Sequence, residues 1–378
     1  MLSKNIEKYS EEKKFIFAYE MHSMLPTMKK SEEYHWLKEC PSQVLQQKCQ
    51  DLDTALKNKF KHKRGFPKFK SKNIDRSGIR FPQGIEFSEN KIILPKMKSG
   101  VKFVKHREFL GEPGAVTIYR DAVGDFFVSV LVKVSDDLAL ELVSDIETSV
   151  GIDLGLKEFA VLSDGTIVTN PRFKKNLKRK MILAQREFSR KQKNVKGEAS
   201  RKNREKSRIK LAKLHRKIAN QRKNFVNQTA ASITKKYDLI TIESLNIKGM
   251  VKNHCLAGSI ADAGWGMFIS ALEWQCTKRG KHVHKIDRWF PSSKTCNSCG
   301  SIKQTLNLSD RVFICDDCGH TMDRDLNAAL NIDQLGRNKY GLNDRNQRLL
   351  DMKNGGGDQM VSDAGSSEQE AQLPCAVG

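Results

Sequence analysis

Apolar positions between residues 1 and 60 recur at helical spacing, and Trp36, Leu37, Val44, Leu45, Leu52 and Leu56 form a stripe that predicts helices buried on one face. From Ile79 to Val134 the period shortens. Ile79-Arg80-Phe81, Ile92-Ile93-Leu94, Val116 to Tyr119 and Phe126 to Val134 are short β-branched and aromatic runs, separated by breaks at Gly100, Gly111 to Gly114 and Gly124. An antiparallel barrel or sheet is expected there. The acidic stretch Asp136 to Thr148 marks a domain boundary. Beyond it, Val150 to Leu156, Phe159 to Leu162 and Ile167-Val168, with an Asp164-Gly165 turn, predict a hairpin that opens an α/β domain. Leu239 to Ile242 is a continuous apolar run ending in Glu243, as a buried strand would be. Gly264 to Arg279 reads as helix and Val283 to Ile286 as strand, while the chain from about Asp351 has no apolar period and is expected to be disordered.

Composition adds a partner to this outline. The 378 residues, enough for two or three domains, carry 67 Lys or Arg against 44 Asp or Glu, a formal charge of +23. A surface so one-signed attracts a polyanion. Aromatic residues make up only 7% of the chain, which argues against a pure base-stacking binder. The longest near-apolar runs, such as Phe126 to Val132, fall far short of the roughly 20 residues a bilayer core requires, and the first residues lack an apolar leader. No membrane partner is expected. Nine cysteines then point to a reducing, cytoplasmic setting with free or metal-bound thiols.

Most of the charge lies in one segment: Arg172 to Lys223 holds 22 basic residues and 3 acids. Its apolar residues keep helical spacing on either side of Asn194 to Gly197, which predicts a hairpin of two long basic helices. A charge run is ordinarily just a solvated face. Such a face, however, usually interleaves Glu with Lys four residues apart, because like charges there repel. Scarcity of acids favours a phosphate-binding role, with Arg201, Lys202 and Arg204 as candidate contacts. A second basic block spans Lys57 to Lys72, where Lys57, Lys59, Lys61, Lys63, Arg64, Lys68 and Lys70 interleave with Phe60, Phe66 and Phe69, and where Gly65 and Pro67 forbid a continuous helix.

Cys296-Asn297-Ser298-Cys299 and Cys315-Asp316-Asp317-Cys318 are two C-x-x-C pairs fifteen residues apart, the spacing of a zinc ribbon. Each tight turn can aim two sulfurs at one metal, and four thiolates leave it no open position, so the ion is expected to be structural zinc. The other five cysteines lack such spacing and read as buried or incidental thiols.

Three carboxylates remain. Asp153 lies between Ile152 and Leu154 in an apolar strand, Glu243 ends another, and Asp325 stands at or near the N-cap of a helix containing Ala328 and Ala329. Singly, each has an ordinary structural explanation: a loop acid or a cap. Together they suggest a ribonuclease-H-like site, because two magnesium ions need hard oxygen ligands and a desolvated acid needs a compensating charge.

Several ordered motifs resemble the TnpB proteins of bacterial insertion sequences, compact relatives of type V CRISPR effectors. They are Trp36 to Gln43, Gly65 to Lys70, Gly151-Ile152-Asp153-Leu154-Gly155, Ile242-Glu243-Ser244-Leu245, the ribbon with Ser292 to Cys296, and Asp323-Arg324-Asp325-Leu326-Asn327-Ala328-Ala329. The resemblance spans roughly residues 34 to 335. It implies an α+β multidomain protein with an RNase H-like (RuvC) nuclease domain, in which Asp153, Glu243 and Asp325 hold two catalytic Mg2+ ions, Asp323 being the weaker choice for the third acid. It further implies a transposon-encoded, RNA-guided DNA endonuclease whose partners are a guide RNA from the transposon end and a double-stranded target beside a short adjacent motif, with a monomer acting on each RNA. On that pattern residues 1–75 are a helical recognition region, 76–140 a β-rich wedge-like domain, 149–290 the first nuclease part with the hairpin 172–223 inserted, 291–322 the ribbon as a nucleic-acid-binding module, 323–340 the second nuclease part and 351–378 a disordered tail. The basic β-strand and first helix with which the family opens are not found, so the chain is expected to begin inside the recognition helices. A guided repressor or transposition accessory that binds without cutting is the alternative; a strand-transferring transposase draws no support.

Overall fold

The computed structural model describes residues 1–62, 65–69, 78–134, 146–193, 197–307 and 309–342. Lys63, Arg64 and Lys70, and the tail expected at 351–378, lie outside the described residues. The chain divides into two compact units, Met1–Ala139 and Leu140–Gly378.

The first unit begins with α1 (Leu2–Glu12), α2 (Ala18–Lys30), a 3-10 turn His35–Lys38 and α3 (Ser42–Lys61). Ile16, Met21, Leu25 and Cys49 form one apolar cluster. The fully buried Asn5 fixes the α1–α2 bend by accepting from the Ile16 amide at 2.8 Å. Of the expected stripe, Leu37, Val44 and Leu56 are buried, but Trp36 is 59% exposed. It sits on the tighter 3-10 turn, whose three-residue repeat turns it off the face that α-helical spacing assigned to it. Helix α3 stops before Gly65 and Pro67.

The strands β1 (Gly78–Phe81), β2 (Glu86–Phe87), β3 (Lys91–Leu94), β4 (Met97–Lys102), β5 (Glu112–Arg120) and β6 (Phe126–Lys133) form two antiparallel sheets, β1-β5-β6 and β2-β3-β4, instead of one sheet or a closed barrel. Strands β2 to β4 close on themselves as a meander, and β1 pairs directly with β5, so the run of strands divides on either side of that meander. Phe81, Ile92 and Leu94 from both sheets pack with Val44 of α3.

The second unit contains β7 (Ser149–Leu154), β8 (Glu158–Leu162), β9 (Ile167–Thr169), α4 (Phe173–Lys193), α5 (Gly197–Lys236), β10 (Leu239–Glu243), α6 (Ile247–Met250), α7 (His254–Ala263), α8 (Trp265–Arg279), β11 (His282–Ile286), β12 (Val312–Ile314), β13 (Thr321–Asp323) and α9 (Arg324–Lys339). Five strands make a mixed sheet in the order β11-β10-β7-β8-β9. Strand β10 runs parallel to both neighbours, whereas β7, β8 and β9 form an antiparallel meander.

Side chains alternate across a strand, and this decides what covers each face. Val150, Ile152, Ile240 and Ile242 point into the core made with Val226, Ala230 and Ile233 of α5 and Phe268 and Leu272 of α8. The intervening Gly151 and Thr241 meet α9, at Ala329 and at Gly336 respectively. Asp153 and Glu243 share the parity of Gly151 and Thr241 and therefore project on the α9 side.

Helices α4 and α5 are the expected basic hairpin, but α5 does not stop at 223. Phe225, Val226, Ala230 and Ile233 continue its apolar face down to Lys236 and root it in the core. His254–Arg279 is long and apolar enough on average to cross a membrane, although no uninterrupted apolar run marks it. It is broken at Gly264, φ +74°, into α7 and α8, and Trp265, Phe268, Leu272 and Cys276 are core residues of the sheet's covering layer.

Candidate metal and catalytic centres

The four cysteines converge. Their sulfurs all lie within 4.8 Å of one another, the one group of its kind among the described residues. Cys296 Sγ is 3.7 Å from Cys318 Sγ, and Cys299 Sγ is 3.6 Å from Cys315 Sγ. Disulfides would need about 2.0 Å. Sulfurs on a tetrahedron about 2.3 Å from a central zinc would be about 3.8 Å apart, which these separations match. Both knuckles fold alike: the Cys296 amide donates to the Ser301 carbonyl and Gly300 back to Cys296, while Cys315 donates to His320 and Gly319 back to Cys315. Gly300 and Gly319 take φ of +78° and +71° to close these turns. The donor set fits zinc and leaves it no vacant coordination position. Elsewhere Cys49 and Cys276 are buried free thiols.

The three acids come from distant segments to one place. Ile152 of β7 pairs with Ile242 of β10, so Asp153 and Glu243 each stand one residue beyond that pair on adjacent parallel strands. Asp325 arrives from the other side, in the first turn of α9. The helix cap is Asp323, not Asp325. Asp323 ends β13 and its carboxylate accepts from the amides of Asp325 at 2.9 Å and Leu326 at 3.0 Å, which frees the Asp325 side chain. Asp325 instead accepts from Arg324 Nη2 at 3.1 Å.

Burial pushes the Asp153 carboxyl up to about 7, and the negative charges of Glu243 and Asp325 push the same way, with Arg324 partly opposing them. Burial also raises Glu243, against a hydrogen bond donated by Ser292 Oγ. Asp153 thus feels the charges of both other acids, although the three do not gather as tightly as the four sulfurs do. A pair of divalent ions about 4 Å apart calls for that wider spread, and hard carboxylate oxygens suit magnesium.

The basic candidates divide. Arg201 and Lys202 are exposed on α5 and Arg204 is half-buried. All three acids of the hairpin are engaged within it: Glu187 with Lys191 and Lys210, Glu198 with Lys202, and Glu205 with Arg208. In the other block Lys61 and Lys68 are exposed, but Lys57 pairs with Asp53 at 2.8 Å, and Lys59 lies over the rings of Tyr9, Phe15, Phe60 and Phe66. These two lysines already have partners within their own unit. Roles for Ser292 and Arg324 were not evident from residue pattern. A serine four residues before a ribbon thiol, or an arginine between two aspartates, looks like any solvated loop residue until the strands are placed.

Residues 129–254 match a family model described as "Probable transposase", and residues 265–332 match one described as "Cas12f1-like, TNB domain". A Streptomyces pristinaespiralis protein named "Putative RNA-guided DNA endonuclease" is 33% identical over 327 residues, covering 86% of this chain and 78% of its own length. An Escherichia coli K12 protein of the same description is 30% identical over 349 residues, with 88% and 83% covered. A TnpB-like protein of Acanthamoeba polyphaga mimivirus is 31% identical over 132 residues, 33% of this chain and 25% of that protein. The solved Cas12f1–sgRNA–target DNA complex is similar at 18% identity and a TM-score of 0.35, covering 88% of this chain and 89% of that one. Through the Streptomyces and Escherichia coli relatives, which it covers over most of their length, the chain belongs to the TnpB family.

Proposed function

We propose that this protein is an RNA-guided, magnesium-dependent DNA endonuclease of RuvC type, cutting double-stranded DNA beside a short adjacent motif. The observation that carries the proposal is that the buried Asp153, at the end of one of two adjacent parallel strands, feels the charges of Glu243 on the other strand and of Asp325 at the start of α9. The strand order β11-β10-β7-β8-β9, a meander extended by two parallel strands, is that of a ribonuclease-H-like sheet and supports the same assignment. Asp153, Glu243 and Asp325 would hold the ions. Bound magnesium would supply an activated water and neutralise the leaving oxygen of a phosphodiester.

The chain's own residues prepare that chemistry. Asp153 is partly protonated near neutral pH and must surrender its proton to act as a ligand. Ser292 orients Glu243, and Arg324 sits against Asp325, where its charge can also meet a scissile phosphate. The helical and β-rich parts of the first unit would hold the guide RNA and read the adjacent motif. The hairpin would follow phosphates by backbone shape while base pairing reads sequence, and the zinc ribbon would bind target nucleic acid. A single chain on each RNA, acting in the cytoplasm, completes the proposal.

The test is to purify the protein, sequence the RNA that accompanies it, and offer a matching duplex with Mg2+. Wild type should cut and Asp153→Ala should bind RNA and target without cutting. Cutting by Asp153→Ala would remove the site assignment, and wild type that binds without cutting would make the protein a guided repressor.

A further inference from the structure

Residues 292 to 297, which lead into the first zinc knuckle, are gripped by two buried amides. Asn331 Nδ2 donates to the Ser292 carbonyl at 2.8 Å and to the Thr295 carbonyl at 2.7 Å. Asn327 Nδ2 donates to that same Thr295 carbonyl at 2.7 Å, and its Oδ1 accepts from the Asn297 amide at 3.0 Å. Asn331 Oδ1 accepts from Asn297 Nδ2 at 3.3 Å. Asn327 and Asn331 are 0% and 6% exposed, one turn apart on α9. Burying two amides is costly unless their groups are satisfied, and apolar residues would pack these surfaces without fixing their register.

What the clamp fixes is specific. Its first residue, Ser292, is itself buried and donates its hydroxyl to Glu243, whereas its last two include the zinc ligand Cys296. Helix α9, which supplies both amides, carries Asp325 two residues before Asn327 and continues directly from the ribbon strand β13. Two of the three acids are therefore referenced to the ribbon, by separate routes.

We infer that Ser292, Asn327 and Asn331 are positioning residues through which the four-cysteine centre sets the geometry of the carboxylate centre. The inference rests on the metal-binding role proposed above for those carboxylates. Groups that orient metal ligands contribute about 10–100-fold to affinity for the ion. Weakened clamping should therefore appear first as weaker divalent-ion binding, while zinc stays in place.

The experiment uses the full chain with its RNA, Mn2+ as an electron-paramagnetic probe, and zinc content measured alongside. Ser292→Ala should retain zinc and its melting temperature, weaken Mn2+ binding about tenfold or more, and raise the Mg2+ needed for half-maximal cutting to match. Ser292→Thr, which keeps the hydroxyl, should restore both. Asn331→Leu, similar in volume, should shift Mn2+ affinity in the same direction. Unchanged Mn2+ affinity in Ser292→Ala, or failure of Ser292→Thr to recover it, overturns the inference. Asp153→Ala separates the two levels. If it still binds Mn2+ like wild type, the carboxylate site itself is wrong; if it loses Mn2+ while Ser292→Ala does not, only the positioning role falls.

Discussion

Gly151 of β7 and Ala329 of α9 meet with no room for a methyl group: a Cβ added at Gly151 would lie 2.1 Å from the Ala329 carbonyl oxygen and 2.3 Å from the Asp333 amide. The contact is backbone against backbone, so no side chain can rotate away. Asp153 is two residues along the strand and Asp325 one helical turn before Ala329, so this approach also sets how close those two acids come.

Gly151→Ala should therefore do more than overpack a core. Overpacking costs about 1–3 kcal/mol, and here helix α9 must move as a body. We expect a lowered urea midpoint and, at denaturant-free conditions, loss of cutting that greater Mg2+ does not rescue. Gly336→Ala, which meets the Thr241 side chain, should destabilise in the same way. Wild-type stability in Gly151→Ala would show that α9 does not lie this close to β7.

The Asp153 carboxyl makes the magnesium-free protein sensitive to pH in a fixed direction. Its pKa stands at about 7 in the fold against 3.8 ordinarily. Below about pH 4 it is protonated in folded and unfolded chains alike and costs nothing. As pH rises from about 4 to about 7 the unfolded chain ionises first and stability falls, reaching a deficit of about 4 kcal/mol above pH 7. Asp153→Asn in magnesium-free buffer should thus be more stable than wild type at pH 8, with the advantage fading towards pH 4. Urea titrations at the two pH values check this, and an advantage independent of pH would contradict it. By the same linkage, Mg2+ binding to wild type should weaken as pH drops below 7.

How much of this was legible depended on whether a residue's neighbours in sequence reveal its surroundings. Asp153 and Glu243 stand out because a carboxylate within or at the end of an apolar run is desolvated at a cost that calls for a compensating charge, and the C-x-x-C pairs because their spacing is itself the geometry. Asp323 and Asp325 could both cap a helix. Only the direct passage of β13 into α9 shows that the first does so and the second is released. The amides of Asn327 and Asn331 look like an ordinary polar helix face, yet α9 is covered on that side too, by the ribbon. Trp36 leaves the stripe because α-helical spacing does not hold on a 3-10 turn.

Among the described residues the ribbon's core is Phe313 with Cys296, Cys299 and Cys315, too little apolar surface to hold the fold alone. One zinc per chain should be found by metal analysis. Cys296→Ser or Cys315→Ser should abolish it, with lower thermal stability and proteolytic nicking between residues 297 and 320. Full zinc retention in either variant would contradict four-sulfur ligation.

In the hairpin, a phosphate-binding role and mere solvation make different demands. Glu187 accepts from Lys191 and Lys210 and, with the buried Ser207, clasps α4 to α5; its carboxyl is held down to about 2 by those lysines. Arg201, Lys202 and Arg204 lie outside this clasp, near the start of α5, so replacing them with glutamine should leave the hairpin folded. If they contact phosphates, log affinity for RNA or target should fall less steeply with log salt, by about 1 for each contact removed, and equally for all sequences. Lys202, already paired with Glu198 at 2.8 Å, should contribute least. Binding measured between 50 and 200 mM salt reads the slope. Unchanged slopes with unchanged helicity would make this end of the hairpin a solvated surface and leave the polyanion to other parts of the chain.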